Sequence, residues 1–135
     1  MTITYTQARD ALVTYINTQI ATAYPTLKVF WENTLQVDPV TVGDRFLQVG
    51  IDFEDAVAAT LHAETDFVTG MIGFRYFVRE GKGTRETLQV FDTLNALFRQ
   101  RDYAGVRTET PYPGPKSIED GWMSSDFQIP FSYYG

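Results

Sequence analysis

Apolar residues fall at Ala8, Leu12, Tyr15, Ile16, Ile20 and Ala23, the three- and four-residue spacing of one face of a helix. Thr4, followed three residues later by Gln7, has the form of a capping box, so a helix is expected over residues 5–23. Tyr24-Pro25 ends it, because proline brings no amide hydrogen and disfavours the helical conformation in the residue before it. Residues 28–31 form a brief run of β-formers, while Glu32-Asn33-Thr34 and Asp38-Pro39 read as loop. Over residues 45–54 the period becomes two: Leu47, Val49, Ile51 and Phe53 take one face, and Gln48, Asp52 and Glu54 the other. Residues 55–66 have no clear period and read mostly as loop.

Residues 67–79 are again rich in β-formers, and Gly70 and Gly73 within them signal a bulge or a close backbone approach. Glu80-Gly81-Lys82-Gly83-Thr84 breaks the strand. Leu88, Phe91, Leu94, Leu97 and Phe98 then mark the apolar stripe of a second helix ending near Arg99. A short strand is expected around Val106, and Pro111-Tyr112-Pro113-Gly114-Pro115 reads as a rigid exposed loop that cannot join a ladder centrally. From Trp122 a last strand alternates Phe127, Ile129, Phe131 and Tyr133 with Asp126, Gln128, Pro130 and Ser132. Pro130 assigns that strand to an edge or a bulge. The order is α-β-β-β-α-β-β, an α+β fold in which two helices pack on a mainly antiparallel sheet, in a single domain over residues 1–135.

Composition narrows the classes. With 135 residues, 44% hydrophobic and 21% charged, the chain fits one folded domain and not a disordered or fibrous one. The absence of cysteine removes disulfides, thiolate metal sites and cysteine nucleophiles. A net charge of −6 opposes tight sequence-independent binding of nucleic acid. The first five residues lack the basic and apolar regions of a signal peptide, and no apolar run reaches the roughly 20 residues of a membrane span, so a soluble protein made in the cytoplasm is expected. The 10 Phe, 8 Tyr and 2 Trp make 15% aromatic residues, more than a small core readily hides. Phe30, Trp31, Tyr103, Tyr112, Trp122 and Tyr134 therefore divide between core and partner surface.

Candidates for chemistry are thin. Gly81-Lys82-Gly83-Thr84 opens a helix, but the glycine spacing departs from that of a phosphate-binding loop. His62, Glu64 and Asp66 alternate and would share a face in extended backbone, with one histidine and no further ligands nearby in sequence. Asp52, Glu54 and Asp55 would make an acid and base pair only if burial separated their pKa values; the polar side of a strand accounts for them equally. No nucleophile-elbow sequence surrounds Ser117, Ser124, Ser125 or Ser132. Better suited to binding are two long connections, residues 33–44 and 110–121.

One resemblance goes further. The sequence is similar to the tail terminator, or tail completion, proteins of long-tailed bacteriophages. The similarity runs through the amphipathic N-terminal helix, Val29-Phe30-Trp31-Glu32-Asn33-Thr34, and Arg45-Phe46-Leu47-Gln48-Val49. It continues with Thr69-Gly70-Met71-Ile72-Gly73-Phe74, Phe77-Val78, the Gly81-Lys82-Gly83-Thr84 turn, Ala96-Leu97-Phe98 and the closing Phe127-Gln128-Ile129-Pro130-Phe131. The proline-rich run usual after the Trp-Glu-Asn segment is reduced here to Asp38-Pro39. The resemblance implies a structural, non-enzymatic virion protein without cofactor or metal, made in the host bacterial cytoplasm and located in the tail. It implies a ring of six identical copies that ends tube growth and joins the tail to the head, with the tail tube protein and the head–tail connector as partners. Six copies would carry about −36, and an acidic channel wall would let DNA pass without adhering. On this reading Asn33, Gln36, Asp38, Pro39, Val42, Asp55, His62, Glu64 and Asp66 face neighbouring tail proteins, and Phe30, Trp31, Tyr112, Pro113 and Trp122 contribute to subunit contacts. A small-molecule-binding or enzymatic α+β cone using Asp52, His62 or Asp66, and a different head-to-tail adaptor, are the alternatives.

Overall fold

A computed structural model describes residues 3–32, 43–59 and 65–135. Two helices and seven strands follow in the order α1 (Tyr5–Ala23), β1 (Val29–Trp31), β2 (Arg45–Ala58), β3 (Asp66–Arg79), α2 (Arg85–Phe98), β4 (Asp102–Tyr103), β5 (Val106–Thr108), β6 (Tyr112–Glu119) and β7 (Trp122–Tyr134). The strands form one sheet ordered β1-β2-β3-β7-β5-β4, with β6 also paired to β7. β1 runs parallel to β2 and every other pairing is antiparallel, so the sheet is mixed and mostly antiparallel.

α1 begins where the capping box set it: the Gln7 amide donates to Thr4 Oγ1 at 3.1 Å and the Thr4 amide donates to Gln7 Oε1 at 3.0 Å. Its buried face is Ala8, Leu12, Ile16 and Ile20. α2 buries Thr87, Val90, Phe91, Leu94 and Phe98, whereas Leu88, expected in the stripe, is 51% exposed. The stripe is rotated because Phe91 stacks on Phe127 at 4.8 Å between ring centroids and Phe98 packs on Phe74 at 5.4 Å. Both helices lie on the face that carries Leu47, Val49, Ile72, Phe74, Tyr76, Phe127, Ile129 and Phe131, all in one core cluster. The helices are also tied to each other, since Tyr15 Oη donates to the Leu97 carbonyl at 2.9 Å and Tyr24 Oη bonds Thr93 Oγ1 at 3.0 Å. Among the described residues no helix is long and apolar enough to cross a membrane.

Two local expectations are corrected by pairing. Residues 56–58, expected as loop, continue β2 because Ala56, Val57 and Ala58 pair with Val68, Phe67 and Asp66; a register shift between Phe53 and Asp55 leaves Glu54 as the extra residue of a bulge. The segment expected as an exposed proline loop is β6, lying at an edge. The register jumps between Pro113 and Lys116, so Gly114 and Pro115 stand outside the ladder. The Asp120-Gly121 turn that returns β6 into β7 has positive φ at both residues, 53° and 80°, the conformation a two-residue hairpin of matching twist requires. Ala104-Gly105 joins β4 to β5 in the same way, with φ of 52° and 87°.

β7 is not an edge strand, yet Pro130 is accommodated. Pro130 pairs with Met71 of β3 on one side, and its carbonyl accepts from the Glu109 amide at 2.8 Å on the other. A residue's N and C=O point to the same side of a strand, so the missing donor faces the gap where the second neighbour of β7 changes from β6 to β5.

A polar tie fastens α2 to the sheet. Tyr76, fully buried, donates its hydroxyl to Glu86 Oε1 at 2.9 Å, and the Arg45 guanidinium reaches the same oxygen at 3.1 Å. Burial, reinforced by the Glu86 carboxylate and opposed by Arg45, pushes the Tyr76 phenol from 10.0 up to about 12. Unfolded chains release this proton near 10.0 while the fold keeps it to about 12, so the associated stability is complete below pH 10.0 and is lost as pH rises through about 12. Burial raises Tyr15 and Tyr133 in the same direction.

Two outcomes follow for stability. Phe98→Ala is expected to cost about 3–5 kcal/mol, read as a lower urea midpoint at unchanged slope. In wild type, unfolding free energy should fall between pH 10 and 12, and Tyr76→Phe should make that fall shallower; equal slopes in the two proteins would refute the assignment.

Candidate functional site

Alternation puts the other half of each long strand on the face away from the helices, and no described element covers it. Gln48, Gly50 and Asp52 of β2 stand opposite Arg75, Gly73 and Met71 of β3, which in turn stand opposite Asp126, Gln128 and Pro130 of β7. This open face carries two adjoining grooves, one of about 200 Å³ lined by Glu32, Gln48, Asp52, Arg75, Asp126 and Gln128, the other of about 450 Å³ toward Phe46, Phe77, Lys116 and Trp122. Arg75 and Asp126 belong to both.

At the polar centre Arg75 Nε donates to Asp126 Oδ1 at 2.8 Å, with a weaker contact from Nη2 to Oδ2 at 3.4 Å. That bond, and the charges of Asp126 and then Glu32, hold the Arg75 guanidinium above its ordinary value. Two glycines of the sheet permit close approaches, Gly50 on this face and Gly70 on the core face. The Glu32 carboxylate fills the space where a Gly50 side chain would stand, while Gly70 lies against the Phe131 ring and the Asp52 carbonyl, the close approach expected for it.

The aromatic end is a packed group. Phe46 stacks on Phe77 at 4.4 Å and meets Phe30 and Trp122 edge-on at 5.8 and 5.1 Å. Arg79 lies 4.0 Å above the Trp122 ring. Trp122, expected as a subunit contact, is only 7% exposed because its own chain covers it from both sides. Trp31 faces the helices, its indole Nε1 donating to Asn17 Oδ1 at 3.1 Å, whereas Phe30 faces the open side. Tyr112, 44% exposed, and Pro113 lie on edge strand β6.

The remaining expected contact residues divide sharply. Asn33, Gln36, Asp38, Pro39, Val42, His62 and Glu64 lie outside the described residues. Asp55 and Asp66, expected in one loop, belong instead to paired strands, Asp55 opposite Thr69 and Asp66 opposite Ala58. Among the described residues no three His, Asp or Glu side chains group to hold a metal ion.

Pairing of the sequence-distant β5 with β7 also exposes features that periodicity does not mark. Glu54, Asp55 and Asp66 are exposed on the far part of the β2–β3 hairpin, beside Tyr5 at 55%, Val57 at 55% and Tyr134 at 57% exposure. Arg99, Arg101 and Arg107 are exposed at the opposite margin, around the turn from α2 into β4 and β5. The only sequence signal for the first is a charge run: residues 46–74 contain Asp52, Glu54, Asp55, Glu64 and Asp66 and no Lys or Arg.

No protein-family model and no curated protein matches this sequence. Among solved structures, one that carries no functional name is similar over 93% of this chain and 92% of its own length, with a TM-score of 0.71 and 17% identity. That likeness is one of fold.

The two glycines separate in their expected cost. At Gly50 the obstructing atoms are the end of a flexible glutamate, so Gly50→Ala should cost under about 1 kcal/mol; at Gly70 they are a core ring and backbone, so Gly70→Ala should cost about 2 kcal/mol or more. Thermal melts of both variants check this order.

Proposed function

We propose that this chain is a structural virion protein, a tail terminator whose copies close into a six-membered ring on the end of a completed phage tail tube. The ring stops tube polymerisation and offers the surface on which the head connector joins. The observation that carries the reading is the set of resembling segments in their order along the chain, which coincides with the load-carrying parts of the sheet. Val29-Phe30-Trp31 is β1, Thr69–Phe74 lies within the central strand β3, Ala96-Leu97-Phe98 closes α2, and Phe127–Phe131 is the buried run of β7.

The surface is consistent with assembly. Tyr5, Phe53, Val57, Tyr112, Ile118 and Tyr134 remain exposed on a domain whose core is already complete. A heterologous contact between identical copies, repeated until it closes, would bury such side chains without any new fold. Tube and connector proteins are the partners that the reading requires at the two faces of the ring, and its acidic charge suits passage of DNA through the centre.

Light scattering across protein and salt concentrations, with negative-stain images made with and without purified tail tubes, tests the proposal. Six-membered rings, or a monomer that forms rings only on tube ends, are the expected result. A monomer that ignores tube ends would reject it and favour the ligand-binding alternative.

A further inference from the structure

Along β2 the hydrogen-bonding partners are unequal. β3 pairs with it from Arg45 to Ala58, but among the described residues β1 pairs only with Leu47, Gln48 and Val49, and the Glu32 amide adds one bond to the Val49 carbonyl. From Ile51 onward, β2 thus presents an outer edge without a described partner strand. An edge of this length is a template for another chain unless it is protected, and charge is a common protection. Here the charge is of one sign: Asp52, Glu54 and Asp55, interleaved with Phe53 at 36% and Val57 at 55% exposure. Tyr5 packs edge-on against Phe53 at 5.1 Å and is itself 55% exposed, so carboxylates and aromatic faces are offered together.

Guanidinium is the group that answers both, since it pairs with carboxylates and stacks on aromatic rings. The densest arginines of the chain are Arg99, Arg101 and Arg107 at the other margin of the sheet. Arg101 is engaged with the Ala96 carbonyl at 3.0 Å and Arg107 makes, among the described residues, a long contact with Glu109 at 3.7 Å. Arg107 is 64% exposed at its side chain.

The register supplies the second condition. Asp55 pairs with Thr69, Thr69 with Ser132, and Ser132 with Arg107, so one row crosses the sheet from the acidic margin to the basic one. Directly opposed residues point to the same face, and Asp55 and Arg107 therefore project from the same, uncovered side of the sheet, three strand spacings or about 14 Å apart. A head-to-tail contact closes into a flat ring only if its two unlike patches face away from each other at the same level; a vertical offset would generate a helix. Margins joined by a single row lie at one level when the strands run along the ring axis.

We propose that the outer edge of β2 in one copy docks against the arginine corner of the next, with Glu54 and Asp55 meeting Arg99 and Arg107. A second copy of this chain is the occupant that fits, because it brings the complementary arginine patch on the same row. The number of copies rests on the ring reading; the contact does not.

The test is charge reversal in the full-length chain. Glu54→Arg with Asp55→Arg reverses one margin, Arg99→Glu with Arg107→Glu reverses the other, and a fourth protein carries all four changes. Circular dichroism and thermal melts confirm that each is folded, and light scattering reads self-association at low and high salt, alone and on tube ends. Each one-sided reversal is expected to raise the concentration at which half the chains are associated at least tenfold. The four-fold variant should regain most of the wild-type value, and an equal mixture of the two one-sided variants should associate in alternation, since one then carries two basic margins and the other two acidic ones. Association unchanged by both reversals, or four-fold reversal that restores nothing in a folded protein, overturns this contact while leaving ring formation intact. A wild-type chain that is monomeric both alone and on tubes overturns the contact and the ring together.

Discussion

β3 is hydrogen-bonded along nearly its whole length to β2 on one side and β7 on the other, and this double register determines which side chains enter the core. A shift of one residue in either pairing would turn Val68, Ile72, Phe74, Tyr76 and Val78 out to the open face and bring Met71, Arg75 and Phe77 in. The aromatic contacts resist such a slip. Phe74 touches Phe98 of α2, its partner Phe127 on the adjacent strand touches Phe91, and Phe46 stacks on Phe77 on the other side, so both faces specify the same alignment.

From that register come the two kinds of surface. Because both helices use the same face, the other is left to a graded strip, aromatic around Phe46, Phe77 and Trp122 and polar around Arg75 and Asp126. The Arg75–Asp126 pair links neighbouring strands but is half exposed on its arginine side, so it contributes about 1 kcal/mol or less and orders the face more than it stabilises the fold. In the far part of the β2–β3 hairpin the backbone is held by pairing while the β2 side chains are exposed and gain little from the core. That combination, ordered backbone with unburied Val57 and Tyr134, suits a surface completed by another chain.

Much of this fold was legible residue by residue. Thr4 and Gln7 set the start of α1, Tyr24-Pro25 its end, and the alternation of Phe127, Ile129, Phe131 and Tyr133 a strand with one buried face, because these signals are local and act within one turn or a few residues. Asp120-Gly121 was an equally local hairpin signal, but the prolines at 113 and 115 masked it: their exclusion from central ladders holds, and an edge strand with a register break was the resolution. Leu88 satisfied the helical period and was nevertheless left outside, since the period names a face and the sheet's aromatics chose which face docks.

The candidate surfaces were less legible, for a physical reason. The sequence by itself determined both helices and the long strands β3 and β7, with the core of β2, and the acidic run from Asp52 to Asp66, all of which depend on neighbours within a few residues. Only the tertiary structure decided that Asp55 and Arg107 share a row, that Trp122 is covered by Phe46 and Arg79, and that β7 changes partner at Pro130. These are long-range pairings, and they are settled by which register buries the most apolar surface while satisfying the backbone, a balance struck across the whole sheet.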